Sequence, residues 1–587
     1  MGVIRQSDNS TGQLPDRSAF EVAGIPFADD QRLDSLEQYA GQMPMSETEV
    51  MFFWLLSNQT NSFNHDKLLI WLNGGPGCTS MDGLFMENGP YSFESSSHLG
   101  FRDYSFTQQF DVLYIDQPFG TGFSMTSDDG YVTSFKDAAT HLVEFMSRFY
   151  RVFPEYEGRQ LYVSGESEAG TYIPYLADAI YKLPEEEQQR FNLGGLMIGN
   201  GWVDPYPMYM SYLDLLRDRK LVSDAVQKKM LVAMDRCTHE FNRAPQPVHT
   251  DICENILGPF MEEGGPSSGL CYNVYDLRLT DTQPACGMNW PPEVGMFTDY
   301  FRRKDVQRAV NVPEDMAPIK WKECQAKPNN MLRKDTSPPS VTLLGDILDR
   351  IPVLFFVGKE DFLCNYIGTE WTIGNMTWAG STGFPESKQA AEWTIDGRVV
   401  GHIRSDRGLT YALIDDASHM VGVDKPREVL DLFTAFTNSS TANLRFRSSF
   451  RSGDPADLPT GPERVSHESL VKWVGVGVAL FLVAMFLGCF LRRKQLFSWW
   501  MARRHYGGIQ RSDDDGLVAG HRGHRGSDSD LDDAFMMSDF SFAKRKSVDS
   551  LDIGGLLLDD GTASSPDSEV DSNGTAKSAR QPASKPI

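Results

Sequence analysis

Three things are scarce in this 587-residue chain: apolar residues near its start, cysteines, and positive charge. Met1–Asp30 holds no apolar run of the length a secretory signal requires, so a lumenal protein would take its signal from a start other than the one seen here. The eight cysteines fit neither the spacing of a zinc ribbon nor a C-x-x-C redox pair, so neither a bound metal nor another cofactor is expected. Lys and Arg number 55 against 80 Asp and Glu, a formal charge of -25 with a pI near 4.9. That balance excludes nucleic acid as a partner and suits a cationic substrate or an acidic compartment. No internal repeat is present.

What the chain does have is one long uncharged run, Trp473–Leu491, sufficient to cross a bilayer as a single helix. Arg492, Arg493 and Lys494 follow it at once, whereas Lys472 alone flanks the other end, so the C-terminal side faces the cytoplasm and the N-terminal bulk lies in the lumen. Cys78, Cys237, Cys253, Cys271, Cys286, Cys324 and Cys364 precede the span, which fits disulfide formation in an oxidising lumen with one thiol left over. Asn58, Asn375 and Asn438 open glycosylation sequons on the same side.

Beyond the span, Gln495–Ile587 is rich in Asp, Ser and Gly and poor in aromatics, the composition of a disordered tail. Within it, Tyr506-Gly-Gly-Ile509 has the form that sorting adaptors read as an extended peptide, and Ser527 and Ser529 lie in acidic surroundings open to phosphorylation.

Upstream, runs rich in β-branched and aromatic residues recur at Met51–Ser57, Leu68–Leu72, Asp111–Asp116, Leu161–Gly165, Gly195–Gly199, Val353–Gly358 and Tyr411–Ile414. Helical stretches such as Phe135–Phe149 separate several of them. Continuous apolar runs alternating with helices predict an α/β architecture with a mostly parallel sheet covered on both faces. The strand pattern lapses at about 203–290, where four cysteines cluster, which predicts an inserted helical subdomain. The expected organisation is a lumenal domain at 1–447 containing that insertion, a polar stalk at 448–472, the membrane helix at 473–491 and a cytoplasmic tail at 492–587.

Leu161-Tyr-Val-Ser-Gly-Glu-Ser-Glu-Ala-Gly170 reads as a buried strand entering a tight turn with Ser167 at its apex, followed by a helix-periodic stretch from Thr171. Such an elbow holds a serine Oγ above a sheet, where a histidine can take its proton. In hydrolases built this way the acid and then the histidine follow in the chain. Asp361 after the strand Val353–Val357, and His419 after Tyr411–Ile414, satisfy that order. Glu360 and Asp416 compete as acids, and His65, His141 and His402 are further lumenal histidines. A second strand, Leu69–Leu72, ends in Asn73-Gly-Gly-Pro-Gly-Cys78, a turn without the Lys-Ser/Thr ending of a phosphate loop. Its Gly75 N–H, with that of Glu168, forms the expected oxyanion hole.

Trp71-Leu-Asn-Gly-Gly-Pro-Gly-Cys78, Gly165-Glu-Ser167, Ile198-Gly-Asn-Gly201 and Ala417-Ser-His-Met420 together resemble the serine carboxypeptidase family, with similarity from about Tyr39 to Phe436. The resemblance implies an α/β-hydrolase fold with an inserted helical subdomain, a single C-terminal transmembrane helix and a disordered tail. It makes Asp361 the acid and gives Asn73, Glu87 and Glu166 the substrate's terminal carboxylate. Two glutamates can hold a carboxylate only while they carry protons, so the resemblance implies activity favouring acidic pH.

It also pairs Cys78 with Cys324 and leaves Cys364 as a free thiol near the site. Of the three arrangements open to the other four cysteines, the nested pairs Cys237–Cys286 and Cys253–Cys271 are expected. With the span and acidic tail, the chain is similar to the membrane-anchored fungal branch of the family. That branch trims Lys and Arg from precursor peptides after kexin-type cleavage, as a single-pass type I protein of the trans-Golgi network. Glu168 departs from the family, which usually has an aromatic residue there.

Overall fold

The apolar runs become the centre of one ten-stranded sheet in the computed structural model, which describes residues 14–58, 66–95, 97–242, 248–313 and 321–438. Its strands are β1 (Leu36–Pro44), β2 (Val50–Asn58), β3 (Lys67–Leu72), β4 (Asp111–Ile115), β5 (Gln160–Ser167), β6 (Leu193–Gly201), β7 (Val353–Gly358), β8 (Ala391–Ile395), β9 (Arg398–Asp406) and β10 (Leu409–Ile414). Their spatial order is β1-β2-β4-β3-β5-β6-β7-β10-β9-β8. The six strands from β4 to β10 run parallel, and the pairs at both edges are antiparallel. This is the α/β-hydrolase arrangement, with the β5 elbow at the middle of the sheet.

The central strands read as unbroken apolar runs because both of their faces are covered. On one face Leu68, Ile70, Leu113, Val163 and Ile198 pack against Ala138, Leu142, Phe145 and Phe149 of helix α1 (Phe135–Val152). Ser134 starts that helix by accepting from the Asp137 N–H at 3.1 Å, satisfying an otherwise orphaned donor. On the other face Leu69, Trp71, Tyr114, Tyr162 and Phe356 meet Leu430 and Phe433 of the last described helix, Pro426–Asn438. The edge strands escape the sequence pattern because they are only partly buried. Two-residue turns join them: Asp396 and Gly397, then Arg407 and Gly408, all have positive φ, the geometry that matches the twist of a hairpin.

Between β6 and β7 the chain leaves the sheet for residues 202–352, a longer excursion than the 203–290 expected. It contains helices Pro205–Asp218 and Asp224–Phe241 and a small hairpin of Leu270–Tyr272 with Thr280–Thr282. The nested pairing of its cysteines is not what forms. Cys237 bonds Cys253, with Cα atoms 4.5 Å apart, and Cys271 bonds Cys286, at 5.5 Å. The reason is local. Cys237 lies near the end of Asp224–Phe241 where the short helix Asp251–Glu254 folds back against it, and the hairpin returns the chain to Cys271 within 15 residues. Cys78 and Cys324 are joined, and Cys364 is a buried free thiol.

The stalk, the membrane helix, the tail with Tyr506, Ser527 and Ser529, and His65 lie outside the described residues. Among the described residues no helix is long and apolar enough to cross a membrane. Asn375 is exposed at the end of helix Tyr366–Asn375. Asn438 is exposed too, its Oδ1 accepting from Lys67 Nζ at 2.5 Å. Asn58 ends β2.

Candidate active site

The chain reverses at the end of β5 so sharply that Ser167 takes φ 60°, a left-handed conformation that a non-glycine residue holds at a cost of about 1–3 kcal/mol. Small neighbours make the turn possible. A Cβ on Gly165 would sit 2.0 Å from the Leu72 carbonyl oxygen, so β3 and β5 could not approach with any larger residue there. Helix α2 (Ala169–Tyr181) begins directly after Glu168, which directs its unpaired first-turn N–H groups and positive dipole end toward the serine.

The glycine turn after β3 abuts this elbow. A Cβ built on Gly74 would lie 2.4 Å from Glu168 N and 2.8 Å from Ser167 Cβ, so the two backbones are in contact only because residue 74 has no side chain. Gly75 follows with φ 112° on the exposed side of the turn. Its N–H and that of Glu168 therefore belong to adjoining segments beside Ser167.

Asp361, fully buried after β7, and His419, after β10, meet with Nδ1 to Oδ2 at 2.7 Å. The carboxylate accepts three further bonds, from Leu363 N at 2.9 Å, Cys364 N at 3.2 Å and Asn200 Nδ2 at 2.8 Å. Those donors fix its orientation, and with it the imidazole's. Asn200 is held in turn by the Gly358 N–H, which donates to its Oδ1 at 2.9 Å. The competing acids are elsewhere: Glu360 forms a two-pronged ion pair with Arg219 at 2.6 and 3.1 Å, and Asp416 is largely exposed near Lys425. His141 packs at a tilt against Phe119, and His402 lies on β9 opposite Leu413.

Cys364 is buried against the same group. Burial, with Asp361, Glu168 and Glu166 nearby, pushes its thiol well above the usual range. It stays protonated and does not compete with Ser167 as a nucleophile. Asp361, Cys364 and His419 bring potential ligand atoms within 4.8 Å of one another. A protonated thiol and an Asp–His pair already bonded to each other suit proton transfer rather than metal binding.

One residue before the serine, Glu166 joins a second constellation. The Asn73 amide oxygen accepts from Trp71 Nε1 at 2.7 Å and Gly83 N at 3.1 Å, so its NH₂ must face the other way. There it donates to Glu166 Oε1 at 3.1 Å and Glu87 Oε1 at 3.3 Å. All three residues are at most 4% exposed. Burial raises Glu87 to about 7 even though bonds from Glu166 and Asn73 oppose the shift. Burial and the Glu87 charge push Glu166 well above the carboxylate range. The pair holds protons at acidic pH and presents donors to an incoming anion.

The Glu168 side chain turns away from this pair, into the insertion. Its Oε2 lies 3.1 Å from His249 Nε2, whose Nδ1 is 3.3 Å from Glu254 Oε1, and Glu254 is paired with Arg333. Burial works against a charged His249, yet Glu168 and Glu254 on either side outweigh it and hold the imidazole up at about 9. A cation from the insertion therefore faces the Glu168 carboxylate. No motif pointed to His249. Asn200 had a signal, in Ile198-Gly-Asn-Gly201 at the end of the strand beside the elbow.

A family model described as serine carboxypeptidase matches residues 27–439. A pheromone-processing carboxypeptidase of Tuber melanosporum is 38% identical over 437 residues, 72% of this chain and 68% of its own length. One of Neosartorya fischeri is 36% identical over 465 residues, 77% and 72%. The crystal structure of a prohormone-processing carboxypeptidase of Saccharomyces cerevisiae aligns with a TM-score of 0.66 and 32% identity, over 72% of this chain and 96% of that one.

Proposed function

The chain belongs to the serine carboxypeptidase family, and we propose that this member removes single Lys or Arg residues from the C-termini of precursor peptides, using Ser167, Asp361 and His419. Ser167 Oγ attacks the carbonyl carbon of the last peptide bond while His419 Nε2 takes its proton. Asp361, bonded to Nδ1, stabilises the imidazolium that forms. The N–H groups of Gly75 and Glu168 receive the oxyanion. His419 then gives its proton to the leaving nitrogen, the C–N bond breaks and the terminal amino acid departs. Water repeats the sequence on the acyl-enzyme and frees the shortened peptide.

The observation that carries the exopeptidase reading is the buried Asn73–Glu87–Glu166 cluster, one residue from the nucleophile. A site that can bind a carboxylate there admits only the last residue of a chain beyond the scissile bond. Basic specificity is supported by the relatives, which are described as processing pheromones and prohormones, and by the chain's own acidity. We place the enzyme in the trans-Golgi network as a single-pass type I protein anchored by residues 473–491, with glycans at Asn58, Asn375 and Asn438 and sorting adaptors reading the tail.

Mass spectrometry of a peptide ending in Arg tests the reading: stepwise loss of one residue is expected, with none from Ser167→Ala or from the C-terminally amidated peptide. Equal cleavage of the amide would remove the carboxylate-reading role, and equal rates for C-terminal Leu and Arg would remove the basic preference.

A further inference from the structure

The insertion reaches the Asp361–His419 pair through a short loop to which the chemistry above gives no role. Residues 274–278 lie in the turn of the small hairpin, and the Cys271–Cys286 bond encloses them. Asn273 shapes the start of that turn: its Oδ1 accepts from Tyr275 N at 2.9 Å and Asp276 N at 3.3 Å.

Three backbone bonds run between this loop and the two loops that carry the acid and the base. Leu277 N donates to the Glu360 carbonyl at 2.9 Å and Phe362 N to the Val274 carbonyl at 3.2 Å, so the residues on either side of Asp361 are both held. His419 N donates to the Tyr275 carbonyl at 2.9 Å. One turn of the insertion thus fixes the backbone beside the acid and at the base.

Arg278 closes this clamp from the solvent side. Buried Asp276 aims its guanidinium, accepting from Nε and Nη2 at 2.8 Å each. The outward donors face the histidine loop: Nη1 donates to the Asp416 carbonyl at 2.7 Å, and Nη2 to Asp424 Oδ1 at 2.9 Å. Asp416 has φ 54°, a left-handed conformation that persists only where neighbours hold it. Asp424 passes the restraint on, its Oδ2 accepting from Ser418 N at 2.7 Å and from the Ser418 hydroxyl. Between them the Ala417 carbonyl accepts from Glu360 N at 2.8 Å. The residues leading into His419 are therefore bonded one after another, and the bonds at Asp416 and Ser418 trace back to Arg278. A planar fork of donors serves these acceptors on two chain segments in one fixed geometry, which an ammonium on a flexible stem would not do.

We propose that Arg278 is a positioning residue for proton transfer between Ser167 and His419: it holds the histidine loop against residues 274–278, and so keeps the imidazole in line with the nucleophile. It acts through Asp416 and Asp424.

This inference rests on Ser167, Asp361 and His419 being the catalytic set, and one experiment separates the two. Full-length unaltered enzyme, Arg278→Ala, Asp424→Ala and Ser167→Ala are each labelled to completion with a fluorophosphonate, which counts folded sites. Values of kcat and KM for a peptide ending in Arg are then expressed per labelled site. Misplacing a catalytic group by about 1 Å can cost about 100-fold, so Arg278→Ala is expected to lower kcat per site about 10–100-fold with KM within about threefold. Asp424→Ala, which cuts one of the two routes, is expected to lower it about 3–10-fold. An arginine that merely stabilised the fold would reduce the number of labelled sites and leave kcat per site unchanged, and that result would overturn the proposal. A loss confined to KM would overturn it too. Labelling or turnover of Ser167→Ala would instead overturn the catalytic set itself. Should Arg278→Ala fail to fold, kcat per site in Asp424→Ala decides: the expected fall supports the clamp, and an unchanged value overturns it.

Discussion

Glu166 and Glu168 flank the same serine, are equally buried, and are treated in opposite ways. Glu168 faces a cation: His249, Glu254 and Arg333 continue the chain of alternating charge into the insertion. Glu166 faces another carboxyl, Glu87, and a neutral amide. The first arrangement has its cation without substrate and ties the insertion to the elbow. The second has no cation and stores protons, which we propose meet the terminal carboxylate. A buried charge already compensated belongs to the architecture; one left uncompensated marks where a ligand completes the site.

The largest expected effect lies between the two flanks. Ser167→Ala is expected to lower kcat by roughly 10⁴-fold or more with thermal stability nearly unchanged, which steady-state kinetics beside calorimetry will check. Substitutions on the flanks should then separate activity from stability. His249→Ala leaves Glu168 and Glu254 facing each other without a cation between them and is expected to cost about 3–5 kcal/mol in denaturant unfolding. Glu166→Gln is expected to reduce kcat/KM for free peptides by about 10–100-fold, mainly through KM, while leaving the protein at least as stable at pH 8. If both variants lost stability alike, the distinction between the flanks would collapse.

The flanks should also lose stability with rising pH in different windows. Glu87 rises from 4.5 to about 7 on folding, so the native state binds the extra proton and this flank loses stability as pH climbs from about 4.5 through 7. His249 rises from 6.5 to about 9, so its contribution is full below 6.5 and disappears as pH passes 9. Melting temperatures across pH for Glu87→Gln and His249→Gln will sharpen the contrast, each variant flattening only its own window. The smallest effect is expected from Cys364→Ser, within about threefold in kcat/KM, because a thiol held protonated takes no part in the chemistry.

Much of this molecule is legible in the chain because its central strands are covered on both faces, which turns each into an unbroken apolar run. The edge strands β1, β8 and β9 are half-solvated and mix polar with apolar residues, although Asp396-Gly397 is a recognisable hairpin turn. At the site, residues that end strands were readable: Asn73, Ser167, Asp361 and His419 each follow or finish an apolar run. Residues that arrive from the insertion or from loops were not. His249 is 81 positions from Glu168. The insertion's cysteines were misread for a related reason: pairing depends on which short elements fold back on themselves, and spacing does not report that.

The central claim, that protonated Glu87 and Glu166 read the free C-terminus, is tested most directly by the pH dependence of kcat/KM for a peptide with a free C-terminal carboxylate. The unaltered enzyme should lose activity on an alkaline limb with an apparent pKa near 7, and Glu87→Gln and Glu166→Gln should displace that limb. An alkaline limb unchanged in both variants would contradict the account.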